Sequence, residues 1–278
     1  MVILEFNGFI YLKLKNTSRV ILTVAESSSP TKWINILAFV LTVIVNSLAG
    51  STTILGGKLT AEISDANPTL ITPAGYVFSI WGIIYILLGA FVVFQALPSQ
   101  QGKGFQKRVG WLFVLSSIAN IVWLFLWQFE YLGFSVVVIF LLLATLILIY
   151  LRLNIGKSKV SLREKLAVHV YFRVYLGWIT IASIANVSVF LVSENWDGFG
   201  ISGETWATLI IIVALIITVL VLAMRKDIAY SLVIIWALVG IAVKQSGNQN
   251  IVTLTEASAI IVMIALTATI LISKLKRK

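Results

Sequence analysis

Two short patterns pair a large ring with an amide at helical spacing. Asn120, Trp123 and Trp127 stand at offsets of three and seven, and Trp178, Ala182 and Asn186 at offsets of four and eight, so each set falls on one face of a helix. An indole offers a broad apolar plate, and an amide both donates and accepts hydrogen bonds. Together they suit a flat, largely apolar molecule with a few polar edges. The same side chains can instead tie helices together, at about 0.6 kcal/mol per contact within a membrane, and spacing alone leaves both readings open. Phe78, Trp81, Tyr85 and Gly89 form a third face, an aromatic stripe that either walls a pocket or packs.

Other chemistries lack parts. There is no Cys and one His, His169, which removes disulfides, thiolate nucleophiles and Cys/His metal sites. No nucleophile stands beside a base and no paired carboxylates sit within an apolar run, so the chain is not expected to be an enzyme. His169 and Arg173 fall near one end of a long apolar segment, where a snorkelling, interfacial position is expected.

The elements that must carry these residues are membrane helices. Of 278 residues, 59% are hydrophobic and 12% charged, against about 25% charged in a soluble domain. Eight spans are expected, near residues 33–55, 72–98, 109–128, 132–151, 162–192, 205–223, 229–243 and 256–273. Each is close to the roughly 20 apolar residues a crossing needs. Thr72-Pro73 and Ser29-Pro30 have the cap-then-proline form of a helix start, and Ser161-Leu-Arg-Glu164 is a capping box. Residues 56–71 form the longest loop on their side and could lid a pocket. Residues 1–32 contain no uninterrupted span and read as a cytoplasmic arm, with no cleaved leader expected.

Sidedness tests that count. With eight spans, the two termini and the loops sharing their side collect 18 of the 21 Lys and Arg. Lys58 and Lys244 lie opposite, and Arg173 lies inside a span. Both termini are therefore expected in the cytoplasm. The net charge of +10 follows from this segregation, and no nucleic-acid partner is expected.

The run PAGYVFSIWGIIYILLG (residues 73–89) resembles the second-helix signature of the TspO/translocator family, the tryptophan-rich sensory proteins, with its Trp-x-x-x-Tyr-x-x-x-Gly pattern. SIANIVWLF (117–125) resembles the family's third-helix Asn-x-x-Trp motif, and YLGWITIASIAN (175–186) its fifth-helix motif. NSLAG (46–50) is similar to the small-residue first helix. The resemblance covers residues 33–192. It implies a five-helix bundle with a pocket beneath the first loop, for ligands that include porphyrins, sterols and aromatic drugs. Trp81, Tyr85, Asn120, Trp123, Trp178, Ala182 and Asn186 would line or shape that pocket, with Phe134 as a fourth-helix aromatic. The sequence departs from the pattern at Gly75, Ser79, Leu124 and Val174, and three further helices follow.

The expected protein is thus an all-α integral membrane protein: an arm (1–32), a TspO-like bundle (33–193) and a three-helix extension (194–278). Its expected function is to bind a hydrophobic, tetrapyrrole- or sterol-like molecule as sensor, regulator or carrier, with a porphyrin or heme-like ligand implied by the resemblance. A secondary transporter is the alternative. A porphyrin-degrading activity, a homodimer and a prokaryotic plasma-membrane location also come only with the resemblance.

Overall fold

The computed structural model describes residues 2–6, 9–13 and 30–275. Two short strands, β1 (Val2–Phe6) and β2 (Phe9–Lys13), pair antiparallel with Val2 opposite Lys13; the rest of the expected arm up to Ser29 lies outside the described residues. Elsewhere the described chain is helical. The first crossing, α1 (Pro30–Ser51), begins at the proline the sequence singles out. It is followed by a short α2 (Thr60–Ala66) inside the first loop, then α3 (Ile80–Ala96) and a surface turn α4 (Gly104–Val109). Next come α5 (Leu112–Gln128), α6 (Leu132–Arg152), a three-residue start α7 (Leu162–Glu164), and α8 (Val170–Ser193). The extension is α9 (Gly203–Arg225), α10 (Ile228–Lys244) and α11 (Gln249–Leu275).

Six of these segments are long and apolar enough to cross a bilayer, and α5 and α10 are shorter apolar helices. This is a multi-pass membrane protein. At 17 residues, α5 and α10 rise about 25 Å, a little under the roughly 30 Å hydrocarbon core. Both are flanked by longer helices, α5 by α1 and α6, and α10 by α8 and α11.

The axis of the fold is α8. It touches α3, α6 and α10, and every residue from Tyr171 to Ile179 is buried, as expected for a helix that is apolar around its circumference. Ser161 caps its lead-in by accepting from the Glu164 amide at 3.2 Å, and a π-helical turn, Lys165–His169, joins α7 to α8. At Gly177 a Cβ would sit 3.1 Å from Val233 and 3.2 Å from the Tyr230 carbonyl, so the missing side chain lets α10 approach closely.

Three boundaries differ from the sequence expectation. The second crossing does not start at Thr72: a 3-10 segment, Gly75–Ser79, precedes α3. Thr72 is buried, and its amide donates to Thr69 Oγ1 at 3.0 Å. The cause is α10, which draws the extended Ala74 backbone away from the helix through an Ala74 N–H to Gly240 carbonyl bond of 3.0 Å. The first crossing ends at Ser51 rather than 55, because Gly56 and Gly57 take positive φ and turn the chain back over α5. Finally, α11 starts seven residues before Glu256, capped where Asn248 accepts from the Ile251 amide at 3.2 Å.

Candidate functional site

Three indoles from three crossings meet. The Trp81 ring lies 6.1 Å from Trp123, nearly parallel, and 6.2 Å from Trp178, edge-on. Tyr85 stacks on Trp81 at 5.8 Å, and Phe78 meets Trp178 edge-on at 5.7 Å. These separations fall within the range for favourable aromatic pairs. Helical spacing alone does not bring them together: the packing of α3, α5 and α8 does.

The amides divide between two jobs. Asn186 accepts from Trp123 Nε1 at 2.7 Å and donates to Ser135 Oγ at 2.8 Å, tying α5, α6 and α8 around the rings. Asn120 turns the other way and accepts from Asn46 Nδ2 at 2.7 Å. It joins α1 to α5 and does not line the ring cavity. Trp178 Nε1 is buried with no partner. Trp127, one turn beyond Trp123, donates to the Thr60 carbonyl at 3.1 Å.

These rings enclose a cavity of about 30 Å³, lined by Phe78, Trp81, Trp123, Trp178, Ala182 and Asn186 and closed by Thr60 and Ser64 of α2. Space of that size holds a water molecule or two. Phe134 is not part of it: its side chain is 69% exposed on the outer face of α6, where Gly133 rather than Phe134 faces the neighbouring Phe190. Tyr85 backs Trp81 and lines a smaller void of about 10 Å³ with Thr42, Ser116, Ser117, Tyr171 and Tyr175. No imidazole, thiolate or thioether lines the ring cavity. Among the described residues no three His, Asp or Glu side chains converge as a metal site.

The lid is anchored at both ends. On the bundle side, Gln128 donates to the Leu55 and Lys58 carbonyls at 3.1 and 2.8 Å, and Lys58 pairs with Glu130 at 2.5 Å. On the other side the anchors come from α10. Gln245 donates to the Thr69 carbonyl at 2.9 Å, Trp236 to the Val77 carbonyl at 3.2 Å, and Lys244 pairs with Asp65 at 2.5 Å. Gly240 is the contact point, since a Cβ there would overlap Val77 and press on Pro73.

A second polar cluster has no counterpart in the sequence reading. Arg173 does not snorkel to water: it is 8% exposed and lies 3.5 Å from the fully buried Asp227 carboxylate. Tyr150 donates to the same carboxylate at 2.6 Å, and the Tyr230 amide donates to it at 3.1 Å. Burial pushes the Asp227 carboxyl above its ordinary range, opposed by Arg173 and Tyr150. His169 is buried too. The available signal was Asp227 itself, an acid directly following Arg225 and Lys226.

Fold and cavity together define a polytopic helical membrane protein with a ring-lined, lidded cavity inside its first five crossings. A family model described as TSPO-like protein matches residues 32–272, and the chain belongs to that family. The matched span takes in all three helices of the extension, beyond the five that the motifs cover. No curated protein and no solved structure matches the chain.

Proposed function

We propose that the chain binds a flat, hydrophobic molecule of the tetrapyrrole or sterol class between Trp81, Trp123 and Trp178, and acts as its sensor or carrier. The observation that carries this reading is the Trp178 indole N–H, buried beside the cavity without an acceptor. An orphaned buried donor costs about 1–3 kcal/mol, a cost that a ligand carbonyl or carboxylate oxygen removes. Since the closed cavity is about 30 Å³, a ligand of 300 Å³ or more, the usual size of small-molecule sites, enters only when α2 and its loop swing out. A lining of rings, aliphatic groups, hydroxyls and one amide supports a binding role. The excess of Lys and Arg at the termini and in the loops sharing their side supports cytoplasmic termini, an orientation in which the lid faces the far side.

The test is protoporphyrin titrated against tryptophan fluorescence of the protein in nanodiscs. Saturable quenching is expected. Trp178→Phe, which keeps a ring and removes the donor, is expected to weaken affinity about tenfold, near 1.4 kcal/mol. Asn120→Ala is expected to leave affinity unchanged. Quenching that never saturates, or is indifferent to Trp178→Phe, overturns the reading.

A further inference from the structure

A larger cavity lies outside the ring box. It occupies about 620 Å³ between α8 and α9, roofed by the end of the lid loop and by the turn joining the two helices. Along α9 its lining runs from Gly203 to Val213, eleven residues spanning about 15 Å of helix, half the thickness of the hydrocarbon core. Its depth therefore matches one leaflet. The deep walls are apolar, including Phe140, Ile184 and Ile210, and the Ser188 hydroxyl there donates its proton to the Ile184 carbonyl at 3.1 Å. The deep part thus offers little to a polar guest beyond the acceptor lone pairs of that one hydroxyl.

The mouth has different chemistry. Trp196 and Trp206 both line it, with ring centroids 5.4 Å apart. Asp197, next to Trp196 in the chain, also lines the cavity, and its carboxylate caps the Phe199 amide at 3.0 Å. Trp206 Nε1 donates to the Gly198 carbonyl at 3.0 Å, so the turn is held in place. Among the described residues no basic side chain pairs with Asp197, whereas Lys58 and Lys244 are paired with other acids. Two indole faces beside one carboxylate attract an organic cation and repel an anionic head.

We propose that the α8–α9 cleft, with Trp196, Asp197 and Trp206 at its mouth, is a second ligand site for a single-chain amphiphile carrying a quaternary ammonium head. The tail follows α9 into one leaflet and the head rests against the indole pair at the mouth, near the carboxylate. The site is built from the extension as much as from the bundle, and it does not depend on what the ring box binds.

The test uses three photoactivatable probes with one diazirine-bearing alkyl chain and different heads: trimethylammonium, phosphocholine and carboxylate. Each is added to the protein in nanodiscs, and crosslinks are mapped by mass spectrometry. The expected result is saturable labelling of residues 184–213 by the trimethylammonium probe, at least tenfold above the other two. Asp197→Asn keeps the cap and removes the charge, and should reduce that preference at least fivefold with an unchanged melting temperature. Ile210→Trp, which fills the cleft, should abolish the labelling; if it fails to fold, Asp197→Asn decides alone. Equal labelling by all heads, a phosphocholine probe that matches the trimethylammonium probe, indifference to Asp197→Asn, or label spread over lipid-facing helices overturns the proposal.

Discussion

Trp178 and Asp227 are both buried polar residues, with opposite accounts. Trp178 has an unmet donor beside a cavity, whereas the Asp227 carboxylate accepts from Tyr150 and the Tyr230 amide and lies 3.5 Å from the Arg173 guanidinium. Asp227→Ala strips a buried arginine of its counter-charge and should cost about 3–5 kcal/mol, while replacing both members with apolar residues of similar volume should restore most of the loss. Thermal unfolding of Asp227→Leu, Arg173→Met and the double variant that combines them checks the coupling, with Asp227→Ala as the truncation. The raised Asp227 pKa also fixes a sign. The folded state holds that proton more tightly than the unfolded chain, so this contribution to stability falls as pH rises from the ordinary carboxylate range through the raised value. Asp227→Asn should flatten that part of the melting-temperature profile. Of these residues, the tryptophans and Asn186 were legible from spacing and motif. Asp227 was not, because its partners Tyr150 and Arg173 lie 77 and 54 positions away and no periodicity links them.

At the scale of elements, the lid loop is governed by α10. The Lys244–Asp65 pair is partly exposed and by itself holds little, about 0–1 kcal/mol. Trp236 adds a hydrogen bond to the Val77 carbonyl and an edge-on contact with Tyr76 at 5.3 Å. Trp236→Leu should therefore speed porphyrin association several-fold in stopped-flow quenching, with a smaller effect from Lys244→Met. If both variants bind at the parent rate, α10 does not control entry. The crossings were legible because each is a long apolar run with polar breaks. The start of α3 was misplaced at Thr72-Pro73 because the capping signal there is real locally. It lost to Gly240, whose lack of a side chain allows the neighbouring backbone to claim the Ala74 amide.

For the whole molecule, the bundle and the extension are not separable in the way the motifs suggest. Motifs mark the first five crossings, whereas α10 packs on α8 and holds the loop over the ring box. The family match to residue 272 agrees with that continuity. Ending the chain after Ser193 should leave the loop at residues 56–71 open to protease at concentrations that spare the full protein. The absence of cysteine makes the orientation simple to test. Single cysteines at Ser158 and Asn195 should react with an impermeant maleimide on opposite sides of the membrane, Asn195→Cys from outside and Ser158→Cys only after permeabilisation.

The lid and its clamp are far apart in the chain: 179 residues separate Asp65 from Lys244. At 5–20 residues per second, a ribosome needs roughly 9–36 s to travel from one to the other. The box is complete only once Asn186 has been made, so for the last 58 residues before Lys244, roughly 3–12 s at that rate, it is covered by α2 with nothing from α10 to hold the loop down. A porphyrin present during synthesis should therefore load faster than one offered to the finished protein, a difference that a pulse of ligand in cell-free translation would reveal.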